Sequence, residues 1–305
     1  MKTIVNYHVI DPKNIGDLFS SPVNYFEFPG YEVIKRDIRT LDNSPPLEDP
    51  ESLLNHHAIV GGGGLMFDRF LQNFQRLQAG KNGNSLILWG AGQQVYQLKN
   101  SGLTDASNSP YNNNIFEYTP YLKDFNCIGI RDYNQGYDWV PCVSCMDKVF
   151  DKDYSIQQEF VVFSHKRFQL KIDSFPRMTN EGSNFEEIIS FLASGETILT
   201  SSFHGAYWGT LLGRKVLAFP FTSKFLTLKH PVAMYPGIHW KQPKREIKIL
   251  GKTLYQRFDE SKFLCSTDNW RSHLKHCQSY PESLQECRDR NNWFYQQVIN
   301  HLNAV

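Results

Sequence analysis

Residues 197–219 constrain the fold of this chain more than any other stretch. Thr197-Ile198-Leu199 is an apolar run that enters the small polar turn Thr200-Ser201-Ser202. A short helical stretch follows from Phe203 to Leu211, and Lys215-Val216-Leu217-Ala218-Phe219 is a second apolar run. Strand, turn, helix and buried strand at this spacing make the repeating unit of an α/β sheet. The turn also leaves backbone N–H groups at a helix N-terminus, where they favour an anion. His204 sits at that start. An imidazole there can donate to a phosphate or carboxylate and can pass a proton near neutral pH. The competing reading is that His204 caps the helix or packs against its neighbours.

The same alternation runs through the first half of the chain. Apolar runs at Thr3–Ile10, Tyr31–Ile34, His57–Val60, Ser85–Trp89 and Asn126–Ile130 read as strands. They end in Asn14-Ile15-Gly16-Asp17, in Gly61-Gly62-Gly63-Gly64, in Gly90-Ala91-Gly92 and in Arg131-Asp132. From Leu65, a helical pattern places Phe70, Leu71, Phe74 and Leu77 at three-to-four spacing. Ligands of open parallel sheets bind beyond the carboxyl ends of the strands, so Asn14, Asp17, Gly62, Gly63 and Arg131 are expected on one rim. Ser101–Pro110 reads as a loop and Asp151–Ser155 as a linker. A second unit opens with the strand Glu159–Phe163, which ends in Ser164-His165-Lys166-Arg167, followed by an amphipathic helix over Phe185–Leu192. The periodicity fades after Phe225, and the aromatic, charged tail from Asp259 reads as helical.

The expected fold class is therefore α/β, with two doubly wound, Rossmann-like domains and a cleft between them. The domains span residues 1–152 and 153–258, and 259–305 form a tail that packs back on the first domain.

Composition narrows the function classes. With 41% hydrophobic and 14% aromatic residues the chain is a folded protein, and a formal charge of +1 argues against a broad nucleic-acid surface. The opening apolar run is broken by Asn6, His8 and Asp11, too early for a signal core. No run reaches the roughly 18 apolar residues of a membrane span. The expectation is a soluble cytoplasmic protein without a transmembrane segment; peripheral membrane association stays open. Of six cysteines, Cys142 and Cys145 have metal-ligand or redox spacing, but no second such pair exists and His273, His276 and Cys277 are distant in sequence. Ordinary reduced, buried thiols are the expectation. No acidic cluster has metal-ligand spacing, so no metal is expected. The glycine run lacks the Lys-Ser/Thr of a phosphate-binding loop.

Over about residues 1–226 the chain resembles the polysaccharide pyruvyl transferases. The resemblance rests on Asn14-Ile15-Gly16-Asp17, the Gly61–Gly64 cluster, Gly90-Ala91-Gly92, Arg131-Asp132, the Thr200–Gly205 segment, and Pro220 with Lys224. Many members carry arginine before Leu-His-Gly, where this chain has Ser202 and Phe203. Tyr133 stands where a serine is common, and Cys142–Cys145 fall near a usual Asp-Pro. The resemblance implies a two-domain arrangement like that of GT-B glycosyltransferases, with an acceptor-side first domain and a donor-side second. It implies transfer of a pyruvyl group from phosphoenolpyruvate to two sugar hydroxyls, giving a cyclic ketal. The implied setting is bacterial exopolysaccharide or cell-surface polysaccharide synthesis, on an acceptor glycan that is free or lipid-linked. Phosphoenolpyruvate is the donor substrate; no cofactor is implied.

On this reading His204 is an acid/base or a phosphate contact. Arg131 and Lys224 hold the donor, with His165, Lys166 and Arg167 facing the cleft beside Ser202 and Gly205. Asp17 orients or deprotonates an acceptor hydroxyl, Asn14 hydrogen-bonds the sugar, and Gly62 and Gly63 allow close backbone approach. Two other readings compete: a glycosyltransferase using a nucleotide-sugar donor, and a non-catalytic carbohydrate-binding relative.

Overall fold

Two parallel sheets organise the computed structural model, which describes residues 2–43, 56–94, 111–112, 115–236, 238–249, 252–258, 262–265 and 267–305. The loop expected at 101–110 and the expected start of the tail at Asp259 lie outside these residues. The first sheet contains β1 (Lys2–His8), β2 (Tyr31–Asp37), β3 (His57–Gly61), β4 (Leu86–Ala91), β5 (Cys127–Ile130) and β6 (Asp138–Trp139). The second contains β7 (Gln158–Ser164), β8 (Arg177–Thr179), β9 (Gly195–Thr200), β10 (Lys215–Ala218) and β11 (Ala233–Met234). All neighbouring strands within each sheet run parallel.

The strand orders share one logic. In the first sheet the order is β2-β1-β3-β4-β5-β6, and in the second it is β8-β7-β9-β10-β11. Each sheet therefore reverses its winding between its first and third strands, at β1/β3 and at β7/β9. A crevice opens outside the carboxyl ends at such a point, because the two connections leave in opposite directions.

Burial explains why these runs became strands. All five residues of β3 and all six of β4 are buried, as expected for central strands covered on both faces. Alternate side chains divide between two layers. Val5, Val60, Leu86 and Leu88 pack under α2 (Asp68–Ala79) through Phe70, Leu71, Phe74 and Leu77. Ile4, Ile59, Ile87 and Trp89 pack under the last helix, Ser283–Ala304, through Phe294, Val298 and Leu302. That helix is pinned by a buried hydrogen bond from Trp89 Nε1 to Asn291 Oδ1 at 2.9 Å. On the second sheet, Val161, Phe163 and Ile198 meet Ile188, Ile189, Ala206 and Trp208, while Phe160, Val162 and Leu199 meet Phe168, Trp240 and Phe263.

Local details differ from the sequence expectations. α2 starts at Asp68 rather than Leu65, because Met66 is held in a β-bridge to Gln93. The tail is not uniformly helical: Phe263–Cys265 is a strand between Phe168–Leu170 and Trp240–Lys241, and a 3-10 turn at Trp270–His276 precedes the last helix. No helix among the described residues is long and apolar enough to cross a membrane.

Candidate functional site

A cavity of about 240 Å³ lies where the two crevices meet. Asp11, Asn14 and Asp17 reach it from the segment after β1, and Gly64 from that after β3. His165, Lys166 and Arg167 enter after β7, and Ser202, Phe203 and His204 after β9. Arg131 and Lys224 complete the polar wall. Nine of the residues named from sequence thus line one cavity: Asn14, Asp17, Arg131, His165, Lys166, Arg167, Ser202, His204 and Lys224.

Arg131 is the most unusual of them. It is only 5% exposed, yet no carboxylate among the described residues pairs with it. Its guanidinium lies 4.3 Å over the Phe203 ring, Nη2 donates to Gln93 O at 3.4 Å, and buried Nε has no partner. Burial lowers its pKa from the ordinary arginine value. The adjacent Asp132 does not form a surface pair with it. Asp132 is fully buried and accepts from Gln93 N, Tyr118 OH and Thr227 Oγ1, each at 2.6 Å. The route of the Arg131 side chain requires Gly92, where a Cβ would stand 2.5 Å from Arg131 Cγ.

His204 opens α3 (Phe203–Leu211) and is 8% exposed. Its ring tilts against Trp208 with centroids 4.9 Å apart, and Nε2 lies 3.6 Å from Cys142 Sγ. Nδ1 faces Gly16, at the start of the short helix α1 (Ile15–Leu18). Burial, and then the charges of Arg131 and Lys224, hold its pKa well below the usual histidine value. His165 is likewise held down, to about 3, by burial and by Lys224, Lys166 and Arg167. Its Nδ1 accepts from Arg167 N at 3.2 Å, which puts the ring proton on Nε2.

Lys224 and Asp17 face each other electrostatically. Burial pushes the Lys224 ammonium down, helped by Arg131, and pushes the Asp17 carboxyl up. Asp17 Oδ2 accepts from Asn14 Nδ2 at 2.7 Å, and Asn14 Oδ1 accepts from Asn180 Nδ2 at 2.9 Å. Asn14 is thereby committed at both ends of its amide, and its place is to orient Asp17. Lys166 is also engaged: Nζ bonds Asp11 Oδ2 at 2.8 Å and Lys13 O at 3.2 Å, tying the two rims together. Arg167, with Arg69 on the opposite side, has no ion pair among the described residues.

Three expected contacts fall elsewhere. Gly62 and Gly63 do not line the cavity; Gly64 does. A Cβ on Gly62 would run into Ser20, and its φ of 76° is left-handed, so this glycine serves the packing of Ser20 against the β3 loop. Gly205 is buried against Phe163 and Thr200, and its N–H is capped by Ser202 Oγ at 3.4 Å. Ser202 therefore spends its hydroxyl on the helix start. Asn180, Arg39 and Arg69 line the cavity without having been singled out from sequence. Arg39 is spent on Asp37. Asn180 carries no motif signal, since its role depends on Asn14 across the cleft.

All six cysteines are unpaired, and Cys142, Cys145, Cys265 and Cys287 are buried. Among the described residues, no group of three or more His, Cys, Asp or Glu side chains is placed to hold a metal ion. Asp151 and Asp153, at the start of the expected linker, lie off the cavity, and Asp151 pairs with Arg288 at 2.6 Å.

No family model and no curated protein matches this sequence. A solved structure of a functionally uncharacterized protein from Klebsiella pneumoniae subsp. pneumoniae is matched at 16% identity over 72% of this chain and 83% of that one, with a TM-score of 0.40. A likeness at that level carries no argument about function.

Proposed function

We propose that this protein is a polysaccharide pyruvyl transferase-like enzyme, moving a pyruvyl group from phosphoenolpyruvate to two hydroxyls of a glycan. The observation that carries the reading is the buried Arg131, in no carboxylate ion pair among the described residues, converging with Lys224 and His204 on one cavity between two sheet crevices. Such a set of donors suits a small ligand with a carboxylate and a phosphate, since each charge gains a charge-assisted hydrogen bond away from water. The two sheets are read as two doubly wound domains in a GT-B-like arrangement, with the acceptor entering from the first. The setting is cytoplasmic synthesis of a surface polysaccharide.

The chemistry then divides among named groups. Arg131 and Lys224 hold the donor anions. A proton added to the methylene carbon makes the central carbon electrophilic, and one sugar hydroxyl attacks it. That hydroxyl loses its proton, phosphate departs, and the second hydroxyl closes the ring and loses its own proton. Asp17, raised by burial and oriented by Asn14, is the base for a hydroxyl. His204 stands at the phosphate contact and within the proton-transfer set.

Phosphate release from phosphoenolpyruvate in the presence of glycan acceptors, together with mass spectrometry of the acceptor, tests the reading. A ketal-sized mass increase lost in His204→Ala supports it. Thermal stabilisation by UDP or GDP and none by phosphoenolpyruvate would replace it with a nucleotide-sugar glycosyltransferase.

A further inference from the structure

The Cys142-Val143-Ser144-Cys145 segment forms no metal cluster among the described residues and no disulfide, yet it lies directly behind His204. Trp208 Nε1 donates to Ser144 Oγ at 3.0 Å. Ser144 Oγ lies 3.3 Å from Cys142 Sγ, and Cys142 Sγ lies 3.6 Å from His204 Nε2. Ser144 and Trp208 are fully buried, and Cys142 is 2% exposed.

One fact orients this whole chain. An indole N–H only donates. Ser144 Oγ must therefore accept from Trp208, and among the described residues its own O–H has one acceptor within reach, Cys142 Sγ. If that proton pointed anywhere else, a fully buried hydroxyl would leave its donor unsatisfied, which buried polar groups rarely do. Cys142 Sγ thus accepts from Ser144, and its S–H is left to donate onward to His204 Nε2. A nitrogen that accepts carries no proton. The ring proton then sits on Nδ1, the nitrogen that faces Gly16 and takes no hydrogen-bond partner among the described residues.

We propose that Cys142 and Ser144 are positioning residues that fix His204 as the neutral Nδ1–H tautomer, presenting a hydrogen-bond donor to the cavity. The charges around the ring favour the same neutral state. Arg131 and Lys224 face it, Gly16 and Trp208 bound it, and Cys142 is the titratable group in contact with it. The tautomer holds whatever ligand fills the cavity. Its chemical consequence rests on pyruvyl transfer: His204 meets the donor phosphate as a hydrogen-bond donor through Nδ1–H.

The experiment is long-range ¹H–¹⁵N correlation on histidine-labelled protein, with His204 assigned by its loss in His204→Gln. The expected spectrum has a protonated Nδ1 and an unprotonated Nε2 at neutral pH. Cys142→Ser keeps a relay and keeps this pattern. Cys142→Ala removes the donor to Nε2 and shifts His204 toward Nε2–H or a mixture. A wild-type spectrum with the proton on Nε2, or an imidazolium at neutral pH, overturns the proposal without any variant. An unchanged tautomer in folded Cys142→Ala overturns it as well. Phosphoenolpyruvate is then added to the same sample. Failure to perturb His204 counts against pyruvyl transfer and leaves the tautomer assignment standing.

Discussion

The imidazole of His204 rests on the bare Cα of Gly16: a Cβ there would stand 2.5 Å from Cε1 and 2.7 Å from Cγ of the ring. The two residues come from different sheets' crevices, α1 after β1 and α3 after β9. The glycine of Asn14-Ile15-Gly16-Asp17 is thus explained by contact with the histidine of the Thr200–Gly205 segment. Gly16→Ala is expected to drive the ring off its seat. Overpacking costs about 1–3 kcal/mol of stability, and a shift of about 1 Å at a catalytic group costs on the order of 100-fold in rate. Urea denaturation and phosphate release measure the two effects. An alanine variant with unaltered turnover would show that His204 tolerates displacement and is not at the chemistry.

Buried histidines set a second expectation, for acid stability. His8 is held at about 4 by burial and Lys35, His165 at about 3, and His204 well below its usual value. In each case the folded pKa is depressed. Below the unfolded value of about 6.5 the unfolded chain binds protons that the folded chain refuses, so stability falls as pH falls. The loss runs from about pH 6.5 down to the folded values and then saturates. Each fully refused proton contributes a slope of about 1.4 kcal/mol per pH unit. Asp17, whose pKa is raised, acts in the opposite sense below pH 6 and offsets part of it. Urea midpoints from pH 7 to 4 are expected to fall steeply, and less steeply in His8→Phe. A flat profile would mean that these rings are solvated in the folded state.

The C-terminal helix is expected to be a structural necessity for the first sheet. Phe294 is 2% exposed and meets Trp89 edge-on, with centroids 5.0 Å apart. Phe294→Ala opens a cavity between helix and sheet and is expected to cost about 3–5 kcal/mol. A midpoint shift below about 1 kcal/mol would indicate that the helix adds little to the first core.

Lys224 owes its position to Asp132. The short turn Ser223–Thr227 is fastened through Thr227 Oγ1 to Asp132 and through the Ser223 hydroxyl to Gln93 Oε1, and Gln93 O also receives Arg131 Nη2. This clasp holds two like charges near each other before any anion arrives. Thr227→Val removes one bond and is expected to weaken phosphoenolpyruvate binding about 10-fold, the worth of roughly 1.4 kcal/mol. Thr227→Ser restores the hydroxyl and the affinity. Calorimetric titration distinguishes them; equal affinities would make the clasp irrelevant to the ligand.

Much of this is legible in the sequence, for physical reasons that vary by residue. β3 and β4 could be read because central parallel strands are continuous apolar runs, and their ends mark the rim that holds Asn14, Asp17 and Arg131. Trp240–Lys241 and Phe263–Cys265 could not, since two or three residues leave no period to detect. Gly62 and Gly64 look alike in sequence; only the position of Ser20 separates a packing glycine from one at the cavity. Asn180 and the Trp208–Ser144–Cys142 relay depend on contacts between distant segments, which local pattern does not encode.

Arg131 carries the sharpest test, because function and stability pull in opposite directions there. A buried guanidinium without a carboxylate partner is costly, and a well-packed apolar replacement of such a charge is often neutral or stabilising by about 1–4 kcal/mol. Arg131→Met keeps an unbranched side chain on the Phe203 ring and removes the unpartnered Nε. The ligand-free variant is therefore expected to melt at or above the wild-type midpoint. It also leaves Lys224 as the nearest cation for the donor anions, so stabilisation by phosphoenolpyruvate is expected to vanish. Charge relief on His204 follows as well, since Arg131 is the larger of the two charges that depress it. A residue kept at a cost to the empty fold is kept for what it binds. If Arg131→Met instead melts well below wild type while still being stabilised by phosphoenolpyruvate, the guanidinium is a structural element of the Gln93 loop and the anion site lies elsewhere.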